Sequence, residues 1–405
     1  MPVPGLIYDV AVAWDSAQTG VWTWDGSAWD GGDVWGGDTG NYAYSSLGGD
    51  PQAITIDRGR DDTLATMRRG TCTVRLHDHT GRYAPDNPAS PLYGKLLPLR
   101  PLRVTATGAT GTFALFAGYI TRIVSDPDYG AQQATIEAAD LFVILEGVRP
   151  VIANTGPTTT GAAIGLILDA AGWTQPQPRR LATGDAIPNF AADGTTGALA
   201  LVAGLLAAER GTFFIGPDGT AVYEDRAARN RGARLASQSA IAGTMRAVAP
   251  GVDLATILNR ATVTRAGGTA QTYADAASFG QYRAWRDFAA LTTPYLASDA
   301  DALALAQWLV SQRKDAVPTA RRLTLTAQEP TVRAALLARD LGDRVTATNA
   351  LAGVAGDYHI EAIAHAIATA SMTHETRWLL SRRLATAQPF VWDASTWDGG
   401  NAWTF

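Results

Sequence analysis

Close pairs of carboxylates, two histidines one residue apart and several twinned arginines are the groups in this sequence best equipped for chemistry. The acid pairs include Asp61-Asp62, Asp126/Asp128 and Asp299/Asp301. Two carboxyls facing each other across a cleft would suit glycoside hydrolysis. Spacing along the chain does not create that geometry, and Asp301 already has a role as a helix cap. His77 and His79 can share one face of a strand, with Asp78 on the other. Two imidazoles without a third ligand make a poor zinc site, so a solvated strand end is the simpler reading. His359, His365 and His374 fall within strand-like segments, where interior packing is expected. The arginine pairs, Arg68-Arg69, Arg179-Arg180, Arg321-Arg322 and Arg382-Arg383, read as solvated faces or as ion pairs between subunits. Cys72 alternates with Val74 and Leu76 and reads as a small buried hydrophobe. It is the one cysteine of the chain, which excludes an intramolecular disulfide framework and a cysteine-based zinc site. The sequence contains no His-Glu-x-x-His, no Gly-x-Ser-x-Gly and no Gly-Lys-Thr phosphate loop. No catalytic residue, metal site or cofactor is therefore expected.

Tryptophan gives the strongest local signal. Five of the 12 tryptophans lie in the first 35 residues and three in the last 14. The stretch from Trp24 through Trp29 to Trp35 recurs as Trp392 through Trp397 to Trp403, with eight of twelve positions identical. This is an internal repeat. Asp-Gly steps between the rings suggest short extended pieces joined by tight turns. Three readings stand side by side: docking surfaces for the chain or a partner, since indole favours interfaces; a sugar-stacking surface; and calcium held by the Asp-Gly clusters. The last matches neither the EF-hand nor the nonapeptide spacing.

The composition narrows the class. Apolar residues make up 46% of the 405 residues, enough for real cores, and the formal net charge is −5. An acidic balance argues against a duplex binder whose affinity comes from neutralising phosphates. Lys95 and Lys314 are the only lysines, as an Arg-rich, GC-biased codon usage would produce. The longest apolar stretch, around Ala198–Ala208, is too short to cross a bilayer. Met1–Gly5 lacks the basic start and apolar run of a signal peptide, so synthesis in a cytoplasm is expected.

The elements that must carry these residues follow from pattern. Residues 1–50 form a Trp/Gly-rich arm. Residues 51–150 are β: Thr71–His77 alternates strictly, and Arg103–Thr107, Phe113–Val124 and Ala131–Ala139 follow as strands. Residues 151–234 are a small α/β domain. It has helices over Thr160–Ala171 and Thr196–Glu209, each opened by its threonine, and a hairpin turning at Gly216-Pro217-Asp218-Gly219. Residues 235–385 return to β with a helical insertion. That helix, Ser298–Lys314, opens on a capping box of Ser298 and Asp301. Strands follow over Arg322–Ala327, Asp343–Thr348, Asp357–Ile367 and Thr373–Leu380. Residues 386–405 are a Trp-rich tail.

A second repeat links the two β regions. Arg103-Val104-Thr105-Ala106-Thr107 recurs as Arg344-Val345-Thr346-Ala347-Thr348. A Gly-containing turn follows each copy, then Tyr119, Ile120 and Ile123 in one case and Tyr358, Ile360 and Ile363 in the other. The expected fold is mainly β with an α/β insert: two tube-like β-barrel domains and a small α/β domain. Two similar domains per chain around a threefold axis give a ring of six similar units, which fits a sixfold tube.

The motif His79-Thr80-Gly81-Arg82-Tyr83-Ala84-Pro85-Asp86-Asn87, with Phe116-Ala117-Gly118-Tyr119-Ile120, Leu341-Gly342-Asp343-Arg344-Val345 and Gly356-Asp357-Tyr358-His359-Ile360, resembles the baseplate hub, or tail-tip minor tail protein, family of long-tailed bacteriophages. The resemblance covers roughly residues 51–385. It implies a structural, non-enzymatic virion protein at the tail tip. Such a protein is a homotrimer that adapts the hexameric tail tube to a threefold tip and forms or closes the channel for DNA ejection. Implied partners are the chain itself, the distal tail protein, the tape-measure protein, a tip fibre or other minor tail proteins, and DNA in transit. The alternative is a tail-tip module that recognises host cell-wall glycan through the terminal Trp motifs and so serves host attachment.

Overall fold

The computed structural model describes residues 5–15, 42–126, 132–173, 178–242, 247–251, 254–316, 319–350 and 353–382. The terminal Trp repeats, including Trp24, Trp29, Trp35, Trp392, Trp397 and Trp403, lie outside the described residues.

The first β region opens with β1 (Ile7–Val12), followed by β2 (Pro51–Gly59), β3 (Arg68–His77), β4 (Pro101–Gly108), β5 (Gly111–Asp126) and β6 (Gln133–Ala139). All neighbours pair antiparallel, in the order β2-β3-β6-β5-β4-β1. Alternation builds β3: Cys72, Val74 and Leu76 point inward while their neighbours face outward. Residues 7–12, assigned from sequence to the N-terminal arm, are thus a strand of the sheet, and Trp14 is buried beside them.

The α/β stretch contains α1 (Thr160–Ala170), α2 (Ala198–Glu209) and a hairpin of Thr212–Ile215 with Ala221–Glu224. Its core joins Ile164, Ile167, Leu205 and Phe213. The helix starts differ from the sequence expectation. Thr159, not Thr160, caps α1, its hydroxyl accepting from the Ala162 amide at 3.3 Å. Helix α2 starts from Gly197 with no side-chain cap; its apolar faces, buried on both sides, hold it instead.

Next come β7 (Ser239–Ala242) and β8 (Ala247–Gly251), then a small three-stranded sheet of Gln271–Ala274, Arg260–Arg265 and Leu291–Thr293. Helix α3 (Asp299–Arg313) packs on that sheet through Leu305 and Leu309 to form a third core. The Ser298–Asp301 capping box is present as read. The chain then completes β9 (Thr319–Thr326), α4 (Pro330–Ala338), β10 (Arg344–Asn349), β11 (Val354–Ala368) and β12 (Thr373–Arg382). These strands run β8-β9-β12-β11-β10-β7.

The two β regions are therefore two copies of one five-strand unit: first, second, fifth, fourth, third. Each copy has, among its irregularities, a bulge at the same place, between the fourth and fifth strands. Thr121 is the extra residue in β5 and Glu361 the extra residue in β11. The units do not close into two separate barrels. Strand β11 pairs antiparallel with β2 from Ala362↔Gly59 to Ala368↔Ala53, and among the described residues the joined sheet has thirteen strands, eleven along one open path with β10 and β7 branching off at β11. This ladder occupies the outer edge of β2, which the first unit would need to close on itself. Gly59 permits the junction. At φ +119°, a Cβ there would stand 2.3 Å from the Glu361 carbonyl oxygen. One hydrophobic core, including Val104, Ile136, Val345 and Trp378, runs through both units.

Candidate functional site

The three cores meet at a cleft of about 190 Å³. Its floor is the β11 bulge. A bulge turns one extra side chain out of the alternating pattern, and here that side chain is Glu361, 1% exposed. Four groups converge on its carboxylate. Arg60 Nε donates to Oε2 at 2.7 Å. Arg229 donates through both terminal nitrogens, at 2.6 and 2.7 Å. The Ser381 hydroxyl and, at 3.4 Å, the Thr63 hydroxyl complete the set. Arg60 follows β2, Arg229 lies in the short 3-10 turn after the hairpin, and Ser381 is on β12. One carboxylate thereby ties the sheet to the α/β part. Burial alone would raise the Glu361 carboxyl, but the two guanidiniums overcome it and hold the group well below the usual carboxylate range. His359, nearby on β11, is pushed down to about 3 by burial and by the Arg229 charge.

The third core is pinned to the same rim. Arg313, the last residue of α3, pairs with Asp62 and reaches the Thr256 carbonyl at 3.4 Å. Arg58, 4% exposed, donates to the Ile215 carbonyl at 3.0 Å and to Asp340 at 2.8 Å. A buried carboxylate shared by two guanidiniums is costly to break and gives the joint one geometry. Chemically the arrangement holds parts together. Every acid that lines the cleft is engaged by an arginine or, for Asp315, by Lys314.

Of the residues read from sequence, Asp61, Asp62, His359 and Arg382 line the cleft and the following ones fall elsewhere. Val104, Ile120, Val345 and Ile360 are fully buried in the shared core and Tyr358 is 3% exposed. Tyr119 is half-buried and packs toward the α/β core. Val104 faces Phe116 across β4–β5, and Val345 faces Tyr358 across β10–β11. His77 and His79 stack 5.2 Å apart at the surface, and His79 contacts Gln132 at 2.6 Å. His365 and His374 are buried; His365 Nδ1 lies 3.0 Å from His374 Nε2 and 2.9 Å from the Thr376 hydroxyl. His374 also meets the Tyr8 hydroxyl at 2.9 Å, which brings β1 against β12. Burial pushes His374 down to about 3 and lowers His365 as well. Cys72 is buried, and its thiol is pushed up by burial. Among the described residues no group of three or more His, Cys, Asp or Glu could hold a metal ion. No described helix is long and apolar enough to cross a membrane.

Sequence reading missed Glu361, Arg60 and Arg229. The signal for the first was present. An Ile-x-x-Ile spacing at 120/123 and 360/363 breaks the period of two, and such a break marks a bulge.

No protein-family model matches the chain, and no curated protein does. Solved structures do resemble it. The 43 kDa tail protein of prophage MuSo2 from Shewanella oneidensis superposes with a TM-score of 0.59 at 12% identity, over 93% of this chain and 98% of that one. A tail protein from Neisseria meningitidis MC58 gives 0.57 at 13% identity, over 93% and 96%. The prophage tail protein gp18 from Listeria monocytogenes EGD-e gives 0.52 at 11% identity, over 93% and 95%. The chain therefore has the fold of these phage tail proteins along nearly its whole length.

Proposed function

We propose that the chain is a structural, non-catalytic component of a phage tail, located at the tail tip. In this reading it is a homotrimeric baseplate hub that adapts the hexameric tube to a threefold tip and forms or closes the channel through which DNA leaves. Its neighbours would be the distal tail protein, the tape-measure protein and a tip fibre or other minor tail proteins. The observation that carries the reading is the five-strand unit present twice in one chain, with the same strand order and the same bulge. Three such chains present six similar units, which matches a sixfold partner through near-equivalent contacts. The likeness of fold to phage tail proteins supports the same reading. The net charge of −5 is compatible with a conduit that does not hold phosphate.

Native mass spectrometry of the purified chain, with immunodetection in particles, tests the proposal. A threefold mass and a signal at one tail end are expected. A strictly monomeric chain absent from particles overturns it. The repeated Trp motif, with eight of twelve positions shared between the two ends, supports a second reading as a cell-wall glycan binder. Trp29→Ala or Trp397→Ala would then abolish retention on host envelopes and leave assembly intact.

A further inference from the structure

The cleft above Glu361 is lined by six arginines and six carboxylates. Four of its acids are drawn to cations beyond its lining: Glu224 to Arg234, Asp225 to Arg231, Asp61 to Arg68 and Asp315 to Lys314. On the floor Glu361 faces two guanidiniums, Arg60 and Arg229. Arg210 then stands on the wall. Among the described residues no carboxylate or carbonyl accepts from its guanidinium, and its Nε is buried without a partner. The group rests over the Phe288 ring at 4.8 Å and burial pushes its pKa down to about 10. A half-buried cation without a carboxylate partner gains from a ligand that supplies the opposite charge.

Its backbone adds a second observation. Arg210 ends α2 in the left-handed region, at φ 61° and ψ 27°. That position usually goes to glycine, and an arginine there costs conformational energy that glycine would not. Arg210 also borders a second, smaller cavity of about 60 Å³ lined by Leu64, Met67, Leu206 and Phe213. On the other side the cleft is walled by Trp308, with Arg226 over the indole at 6.0 Å. The surroundings thus offer a fork for an anion and apolar walls beside it. The cleft's own acids would repel a second negative charge, which favours a monoanionic head over a phosphate dianion.

We propose that this cleft binds a carboxylate carried on a short apolar stem, with Arg210 as its counter-ion and Trp308 as the wall for the stem. The proposal stands independently of the tail-tip reading. A carboxylate of this kind could come from a free short-chain monocarboxylic acid or from a glutamate side chain of a partner polypeptide. The test is titration calorimetry of the full chain at constant ionic strength with butyrate, with a capped Ala-Glu-Ala peptide and with inorganic phosphate.

Saturable binding of butyrate or the peptide is expected. The tighter of the two identifies the source. Arg210→Gln should weaken it by about tenfold or more, as for loss of a charge-assisted hydrogen bond. Arg210→Lys, which keeps the charge and loses the fork, should fall between. The exposed Arg180→Gln serves as control and should bind as the native chain does. Circular dichroism establishes that each variant is folded, and recovery in the lysine variant separates lost binding from lost structure. Absence of saturable binding, equal affinity in Arg210→Gln, or tighter binding of phosphate overturns the proposal.

Discussion

The two five-strand units share their strand order and the position of their bulge, yet they differ in what the bulge does. In the first unit the extra residue is Thr121, exposed, its hydroxyl donating to the Glu137 carbonyl at 3.1 Å. In the second it is Glu361, buried and held by two arginines. The backbone irregularity is the same; the surroundings decide its use. The α/β part and α3 cover the second bulge, and only there does a charged anchor have partners to bind. The connections diverge too. Residues 78–100 join β3 to β4 by turns, whereas helix α4 joins β9 to β10. A duplicated unit can keep its hydrogen-bond topology while one copy becomes the joint for the rest of the chain.

The largest way to break this comparison is at the anchor. Glu361→Gln keeps the shape and removes the charge, which leaves Arg60 and Arg229 buried and uncompensated. The expected loss is about 3–5 kcal/mol, read as a lower midpoint in guanidinium chloride. A loss no greater than that of an ordinary surface substitution would mean that the joint is not held there.

The units also respond to acid with opposite signs. The second holds three buried histidines, His359, His365 and His374, all depressed. Below the ordinary imidazole pKa the unfolded chain takes up protons that the native chain refuses. Stability is therefore full above about 6.5 and falls with pH, by about 2 kcal/mol at pH 5 for each of His359 and His374. The first unit ends in Asp140, buried after β6, where burial pushes its carboxyl up to about 7 against the amides of Gly70 and Phe142. Here the native chain binds the proton that the unfolded chain lacks. That contribution is full below the ordinary carboxyl pKa and is lost as pH rises through about 7. Between pH 7 and pH 5 the histidines outweigh it. His374→Gln should reduce the acid loss of thermal stability, and Asp140→Asn should steepen it. Unchanged slopes in both variants would remove the contrast.

Much of the frame was legible in the sequence, and the reasons are local. The alternation at Cys72, Val74 and Leu76 reports a strand with one buried face. Ser298 and Asp301 report a helix start, because a capping box needs only residues three apart. The repeated Arg-Val-Thr-Ala-Thr with its Ile-x-x-Ile sequel reports the duplication. The site was not legible because its partners are far apart in the chain: Arg60 and Arg229 lie 301 and 132 residues from Glu361. The ladder between β11 and β2 is hidden for the same reason. It turns two expected barrels into one open sheet, and nothing near Ala53–Gly59 in sequence announces a partner at Ala362–Ala368.

The smallest expected effect sharpens the comparison from the other side. If the bulge itself carried the energy, the first unit should suffer at Thr121 as the second does at Glu361. Thr121 is exposed, and water can replace its one hydrogen bond to Glu137 when the hydroxyl is removed. Thr121→Val keeps the β-branched shape that suits a strand. The expected change is within about 0.5 kcal/mol, typical of a surface site, and the same denaturant midpoint measures it. A loss approaching that of Glu361→Gln would show that bulge geometry holds both units. A near-zero change places the cost in the buried charges, so that the second unit acts as the anchor because of what packs over it.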